Sequence, residues 1–230
     1  MIKKNRPFNT QPRRGFTLIE LLVVITIIAV LTALTIPVLG AVKRQQYIRH
    51  AQSELAFYTT AIENYKAVFG FYPPSNPVDV RTPQLYYELT GVKSVGGNYV
   101  PLDGNTDAAI ATNSVQSAFG VGGFMNCTRG SGEEAVVART FLSSLRASQY
   151  IAVSNNFGTH PVNAYILITA VGGPNPNFHP LSLDSVANPW RYNSVNPTNN
   201  PQSYDLWVDL KIGNKTNEIS NWNKEVTISP

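Results

Sequence analysis

Arg13-Arg14-Gly15-Phe16-Thr17-Leu18-Ile19-Glu20-Leu21-Leu22-Val23-Val24 straddles the sharpest boundary in the 230-residue chain. Residues 1 to 15 carry five basic side chains, Lys3, Lys4, Arg6, Arg13 and Arg14, and no acid. The 27 residues from Phe16 to Val42 contain one charged side chain, Glu20. At about 1.5 Å per helical residue that run spans about 40 Å, more than the roughly 30 Å hydrocarbon layer, and so predicts a transmembrane helix over 16–42. It exceeds the roughly 7 to 15 residues of a secretory apolar region, and no small-residue cleavage site follows it. Five cations precede the run and only Lys43, Arg44 and Arg49 follow closely. The asymmetry predicts a cytoplasmic N-terminus and export of everything after Val42.

This stretch resembles the class III signal of type IV prepilins and type II secretion pseudopilins. The matching parts are a short basic leader ending at Gly15, the apolar Phe16, a Glu five places beyond the Gly, and an apolar helix after it. The resemblance implies that a membrane-embedded prepilin peptidase cuts after Gly15 and N-methylates the new terminus at Phe16. Because the cut precedes the apolar run, the helix stays on the mature protein. The resemblance also implies that Glu20 pairs with the positive Phe16 amine of a neighbouring subunit during filament assembly. A carboxylate within a membrane costs up to about 2.5 to 3.5 kcal/mol at the helix centre and less near an end, so Glu20 needs a partner. A local one exists too, since Thr17-Leu18-Ile19-Glu20 fits a capping box. Pro37 removes a backbone hydrogen bond from the helix interior. By resemblance it is a softening or kink point; an ordinary transmembrane Pro is the alternative.

Beyond Val42 the chain is apolar on one side only. Ile48, Ala51, Leu55, Tyr58, Ile62, Tyr65 and Phe69 recur at helical spacing, while Gln45, Arg49, Gln52, Glu63 and Lys66 lie off the stripe. Residues 43–70 are therefore expected to continue the helix as an amphipathic segment packed on the protein's own sheet, stopping at Gly70 and Tyr72-Pro73-Pro74. The segment from Ala61 to Pro73 is similar to the helix end and Tyr-Pro turn of the type II secretion system protein G family, the major pseudopilins. Gln84-Leu85-Tyr86-Tyr87-Glu88-Leu89 reads as a short following helix.

Residues 71–230 hold 13 of the 16 prolines, and Asn and Gly punctuate the whole region, which predicts long loops and short elements. Strands are expected at Ala164–Val171, Trp190–Tyr192 and Ser203–Leu210, the last with inward Tyr204, Leu206 and Val208 alternating against Asp205, Trp207 and Asp209, and a helix at Ala135–Ser148. Asn188-Pro189-Trp190-Arg191-Tyr192 and Ser203-Tyr204-Asp205-Leu206-Trp207 resemble strands of major pseudopilins. In that family a calcium-binding loop follows, whereas here the chain reads Val208-Asp209-Leu210-Lys211-Ile212-Gly213-Asn214-Lys215. Asp209, Asn214, Asn217 and Glu218 carry oxygen ligands of the type calcium takes, but two lysines and the lack of EF-hand spacing argue against a site. No cofactor is expected. The stretch 92–158 exceeds what a compact major pseudopilin needs and is read as a contact surface.

Enzymatic motifs are missing from the sequence. His50, His160 and His179 have no metal spacing, and there is no GxSxG, Walker A or dinucleotide fingerprint. Asp103-Gly104-Asn105-Thr106-Asp107 reads as a turn, and the lone Cys127 as an inert thiol. The formal charge of +4 suggests a nucleic-acid partner only until the leader is set aside: residues 16–230 carry 13 basic and 14 acidic side chains, and the basic residues are dispersed.

The expected fold is α+β and pilin-like: a leader (1–15), a transmembrane helix (16–42), an amphipathic helix (43–70) packed on a small antiparallel sheet, and an exported head (71–230) with long loops. By resemblance, the chain is a structural subunit of a type II secretion pseudopilus, stored in the inner membrane with a periplasmic head and then polymerised. Its partners would be the prepilin peptidase, an inner-membrane assembly platform, the lipid bilayer, other pseudopilins and further copies of itself, with no nucleic acid. The alternatives are a type IV pilus subunit for adhesion, motility or DNA uptake, and a membrane-tethered binding protein or hydrolase.

Overall fold

The computed structural model describes residues 15–130, 136–155, 162–171, 173 and 187–229, with the side chains of 34–39, 41, 154, 155, 162 and 163 outside that description. Helix α1 runs Leu18–Phe69, 52 residues, close to the predicted span. The chain divides into two compact units within this helix, 1–45 and 46–230. Among the described residues no helix is long and apolar enough to cross a membrane. Described side chains before position 34 supply only Leu18 to Ala33, fewer than the about 20 residues a crossing needs.

In the second unit the predicted stripe of α1 faces inward. Ile48, Ala51, Tyr58, Ile62 and Tyr65 are buried, Leu55 and Phe69 partly so, while Gln45, Arg49, Gln52 and Glu63 are exposed. The helix ends where Gly70 adopts φ +82 and its N–H still reaches the Lys66 carbonyl at 2.8 Å, a left-handed stop favoured by glycine. The Tyr-Pro turn follows. Lys66 Nζ donates to Tyr72 Oη at 2.9 Å, and Tyr192 Oη and Ser194 Oγ both donate to the Pro73 carbonyl at 2.8 Å. Residues more than a hundred positions apart thus fix the turn.

Helix α2 (Leu85–Thr90) is wholly buried, and strands β1 (Val92–Val95) and β2 (Asn98–Pro101) form a hairpin turned by Gly96 and Gly97, both at positive φ. β3 (Ile110–Ala111), the short helix α3 (Val115–Phe119) and β4 (Cys127–Thr128) follow. These strands form one sheet in the order β3-β2-β1-β4, in which β1 and β4 run parallel. The expected single antiparallel sheet is therefore three sheets, one of them mixed. Much of 92–158 is core: Ile110, Phe119, Phe124, Cys127 and Leu142 are all buried.

The helix expected at Ala135–Ser148 does not form in its described part, 136–148. Its backbone groups are taken by tertiary partners. Arg139 N–H donates to Asn126 Oδ1 at 2.9 Å, and the Arg139 carbonyl accepts from Asn126 Nδ2 at 2.6 Å. Phe141 N–H reaches the Leu89 carbonyl at 2.7 Å, and Val136 pairs with Arg129. A backbone whose donors are committed outward cannot close i to i−4 bonds. Only a 3₁₀ turn, Ala147–Gln149, remains.

β5 (Tyr150–Asn155), β6 (Val162–Thr169) and β7 (Asn188–Pro189) make a second, antiparallel sheet. β8 (Arg191–Asn193), β9 (Asp205–Ile212), β10 (Lys215–Ser220) and β11 (Thr227–Ser229) make the third, ordered β11-β10-β9-β8. The predicted Trp190–Tyr192 strand is split, because the chain changes sheets at Trp190, whose N–H bonds the Leu167 carbonyl in β6 at 3.0 Å. Its ring is fully buried and meets Tyr58 of α1 edge-on at 5.5 Å between centroids. In β9 the predicted alternation holds: Leu206, Val208 and Leu210 are buried while Trp207 and Asp209 are half-buried.

Candidate processing and assembly site

The start of α1 is built by two side chains. Glu20 Oε2 accepts both the Thr17 backbone N–H at 2.8 Å and the Thr17 hydroxyl at 2.7 Å. Thr17 Oγ1 in turn accepts the Glu20 N–H at 3.3 Å. The first intrahelical bond, Leu21 N–H to Thr17 carbonyl, is 3.2 Å. This is a complete capping box with Thr17 as N-cap and Glu20 three residues in, satisfying amides that a helix start leaves free. The Glu20 charge also sits in the first turn, at the positive end of the macrodipole.

Gly15 and Phe16 precede the helix and are exposed, and the space beside Gly15 is open. The 15–16 peptide bond therefore lies in non-helical backbone with its carbonyl uncommitted to the helix ladder, the condition a protease needs to seat a scissile bond. Phe16 is 80% exposed, and Leu18, Ile19, Leu21 and Leu22 all exceed half exposure. Apolar side chains on all faces call for an apolar environment around the helix. Its hydroxyls already have partners: Thr26 Oγ1 donates to the Leu22 carbonyl and Thr32 Oγ1 to the Ile28 carbonyl, each at 2.7 Å. Glu20 is the one charged side chain on the described helix from Leu18 to Ala33. At Pro37 the backbone is helical, while the side chains of 34–39, and with them the predicted kink, fall outside the described residues.

In the head the structure reveals buried charged groups that periodicity did not single out. Glu88, fully buried in α2, accepts the Tyr65 hydroxyl at 3.0 Å and the Met125 and Asn126 backbone N–H groups at 2.9 and 3.0 Å. Burial raises its carboxyl above the usual range against the lowering effect of those donors. Glu54, one residue before Leu55 on α1, is also buried, with His50 Nδ1 at 3.6 Å and Gln149 Nε2 at 3.5 Å from its Oε1. Its carboxyl too is raised, chiefly by burial. Asp205, expected to face outward, is buried and accepts the backbone N–H groups of Thr198, Asn199 and Asn200 at 2.8, 2.9 and 2.8 Å, closing the loop before β9. The visible signals were an acid inside the Tyr86–Leu89 apolar run, an acid flanking the α1 stripe, and an acid beside Tyr204.

The calcium candidates do not converge on one point. Asp209 and Glu218 are directly opposite one another on β9 and β10, Asn217 is fully buried, and Asn214 lies in the tight turn between those strands. Among the described residues no group of three or more His, Cys, Asp or Glu side chains could hold a metal ion. Asp103 organises its turn, with Oδ1 accepting the Asn105 N–H at 2.9 Å and Oδ2 the Tyr86 hydroxyl at 2.7 Å. Cys127 is buried, and burial pushes its thiol up. His50 lies on α1, whereas His160 and His179 fall outside the described residues.

A comparison with protein families addresses the same N-terminal segment. Residues 11–36 match the family described as the prokaryotic N-terminal methylation motif. The chain is similar to the type II secretion system core protein G of Escherichia coli (strain K12), 39% identical over 67 residues, which are 29% of this chain and 46% of that protein. The chain thus spans about half the length of that curated relative. No solved structure matches the chain at a significant level. The motif and the relative support the pseudopilin family for this chain.

Proposed function

We propose that this protein is a structural, non-enzymatic subunit of a type II secretion pseudopilus. The leader is removed after Gly15 by a prepilin peptidase, Phe16 becomes the methylated N-terminus, and the apolar start of α1 holds the subunit in the inner membrane with its head in the periplasm. The observation that carries this reading is the pairing of an open Gly15–Phe16 bond with a capped apolar helix whose one charge is Glu20.

The mechanism follows from the parts. A carboxylate near the end of a membrane helix is tolerable when it is hydrogen-bonded, and the Thr17 donors supply that. Cleavage creates an ammonium at Phe16, and on assembly its attraction to Glu20 of an adjacent copy is far stronger in hydrocarbon than in water. That pair sets the axial register, and the apolar helices bundle while the heads face outward. Pro37 would let α1 open locally as the subunit leaves the bilayer, since it lacks the N–H that a straight helix uses there. Methylation leaves the amine charged, as it does for lysine, and so preserves the pair.

Deletion of the gene in its native host, with and without complementation, tests the proposal. Exported proteins should be retained in the periplasm and released on complementation. Normal secretion in the deletion strain, with loss of surface pili or motility instead, would assign the subunit to a type IV pilus.

A further inference from the structure

The β8–β9–β10 region carries charges in an arrangement that the sequence pattern did not single out. Arg191 lies opposite Trp207, Trp207 is two residues before Asp209, and Asp209 lies opposite Glu218. Register therefore puts Arg191, Asp209 and Glu218 on one face of the sheet, the face away from the buried Leu206, Val208 and Leu210. Two carboxylates directly opposite on neighbouring strands repel one another. Arg191, only 9% exposed, answers that repulsion: its Nη1 stands 3.1 Å from Asp209 Oδ2, an ion pair held by charge rather than by a well-aligned hydrogen bond. Asp79, engaged by Arg81 through three contacts of 2.7 to 3.1 Å, also feels the Arg191 charge.

The four oxygen-bearing residues do not make a calcium cage. Calcium takes about 6 to 8 oxygens converging within about 2.6 Å. Here Asn217, next to Glu218 along β10, falls on the opposite face, where it is fully buried and donates through Nδ2 to the Leu210 and Lys215 carbonyls at 3.4 Å. Ile212 and Lys215 pair directly, so only Gly213 and Asn214 remain in the turn, too few to wrap an ion.

We infer that Arg191 is the resident cation of this face, holding the Asp209 and Glu218 carboxylates together as a divalent ion would, so that the head stays folded independently of calcium. The electrostatics of the cluster agree. Burial is what chiefly pushes the Glu218 carboxyl up; Asp209 adds to this and Arg191 opposes it. Burial, with the Arg81 charge adding to it, pulls the Arg191 guanidinium down, and Asp209, Asp79 and Glu218 counter it.

Thermal unfolding of the full chain in detergent, followed by tryptophan fluorescence, tests the inference. The wild type should melt at the same temperature, within about 1 °C, in excess EDTA and in about 5 mM calcium, a level above the dissociation constants of about 10⁻⁴ to 10⁻³ M of weak extracellular calcium modules. Arg191→Gln should melt several degrees lower, to the same extent in EDTA and in calcium, because the face offers too few oxygens to hold the ion, while Arg191→Lys should stay close to wild type. If Arg191→Gln does not fold, the double variant Arg191→Gln/Glu218→Gln, which removes the carboxylate repulsion, should recover its circular dichroism. A calcium-dependent rise in the wild-type melting temperature would overturn the inference. So would an Arg191→Gln protein indistinguishable from wild type, or one that calcium restores to wild-type stability.

Discussion

The Tyr65 hydroxyl donates to Glu88 Oε2 at 3.0 Å, joining the long helix to α2 deep inside the head. The same carboxylate takes two backbone N–H groups from Met125 and Asn126, so three separate segments meet on one buried acid. Removing an acceptor strands its donors, whereas removing one donor loses one bond. Tyr65→Phe should therefore cost about 1.5 to 3 kcal/mol, the range for a bond to a charged group. Glu88→Ala should cost more, above about 3 kcal/mol, since it also leaves buried amides unpaired. Chemical denaturation of the two variants checks the ranking; a Glu88→Ala protein as stable as Tyr65→Phe would contradict it.

Glu54 gives the head a pH dependence of opposite sign to that of an ordinary salt-bridged acid. Its folded-state carboxyl titrates above its unfolded value because burial outweighs His50, Gln149, Thr169 and Trp190. The folded protein thus holds this proton more tightly, and the resulting stability is present at acid pH and lost as pH rises through the raised value. Glu54→Gln, which cannot ionise, should match wild type near pH 4 and melt higher than wild type at pH 7 to 8. Melting curves across that range decide it. A variant that melts lower than wild type at pH 8 would show that the ionised form is the stabilising one.

Gly91 follows α2 with φ +72, and a Cβ there would stand 2.7 Å from the Arg139 carbonyl oxygen. That carbonyl belongs to the extended segment held by Asn126, so it has little freedom to retreat. Gly91→Ala combines left-handed strain with a backbone clash and should cost at least about 2 kcal/mol, or roughly 4 to 8 °C for a domain of this size. Gly104→Ala is the control: φ is similar at +88, but nothing lies within 4 Å, so the loss should be visibly smaller. Equal losses would exclude the clash as the cause.

What the sequence made legible was what depends on local pattern. The α1 stripe from Ile48 to Phe69, the Gly70 stop, the Thr17–Glu20 box and the β9 alternation all follow from spacing along one element. What it concealed depends on partners distant in sequence. Residues 136–148 have helical composition, yet Asn126 and Leu89 capture their amides. Trp190 divides an apparent strand because its neighbours pair with two different sheets. Among the calcium candidates, Asn217 and Glu218 are adjacent in sequence but fall on opposite faces of β10, a separation that follows once 215–220 is a strand, which the polar Lys215–Ser220 segment did not announce.

Thr17 and Glu20 should separate helix capping from assembly. Thr17→Val keeps Glu20 available but removes the hydroxyl, costing about 0.5 to 2 kcal/mol of helix start, and should leave filaments able to form. Glu20→Leu should leave membrane insertion intact and block incorporation into filaments. Carbonate extraction followed by shearing and immunodetection of filaments distinguishes these outcomes; filaments built from Glu20→Leu subunits would remove the assembly role.

Mass spectrometry of the N-terminal peptide from membrane-purified protein tests the central claim most directly. The expected mature chain begins at Phe16, carries one added methyl group on its α-amine and retains the whole of α1. A chain that still carries residues 1–15, or that begins at any residue after the apolar helix, would contradict the prepilin reading and the assembly mechanism built on it.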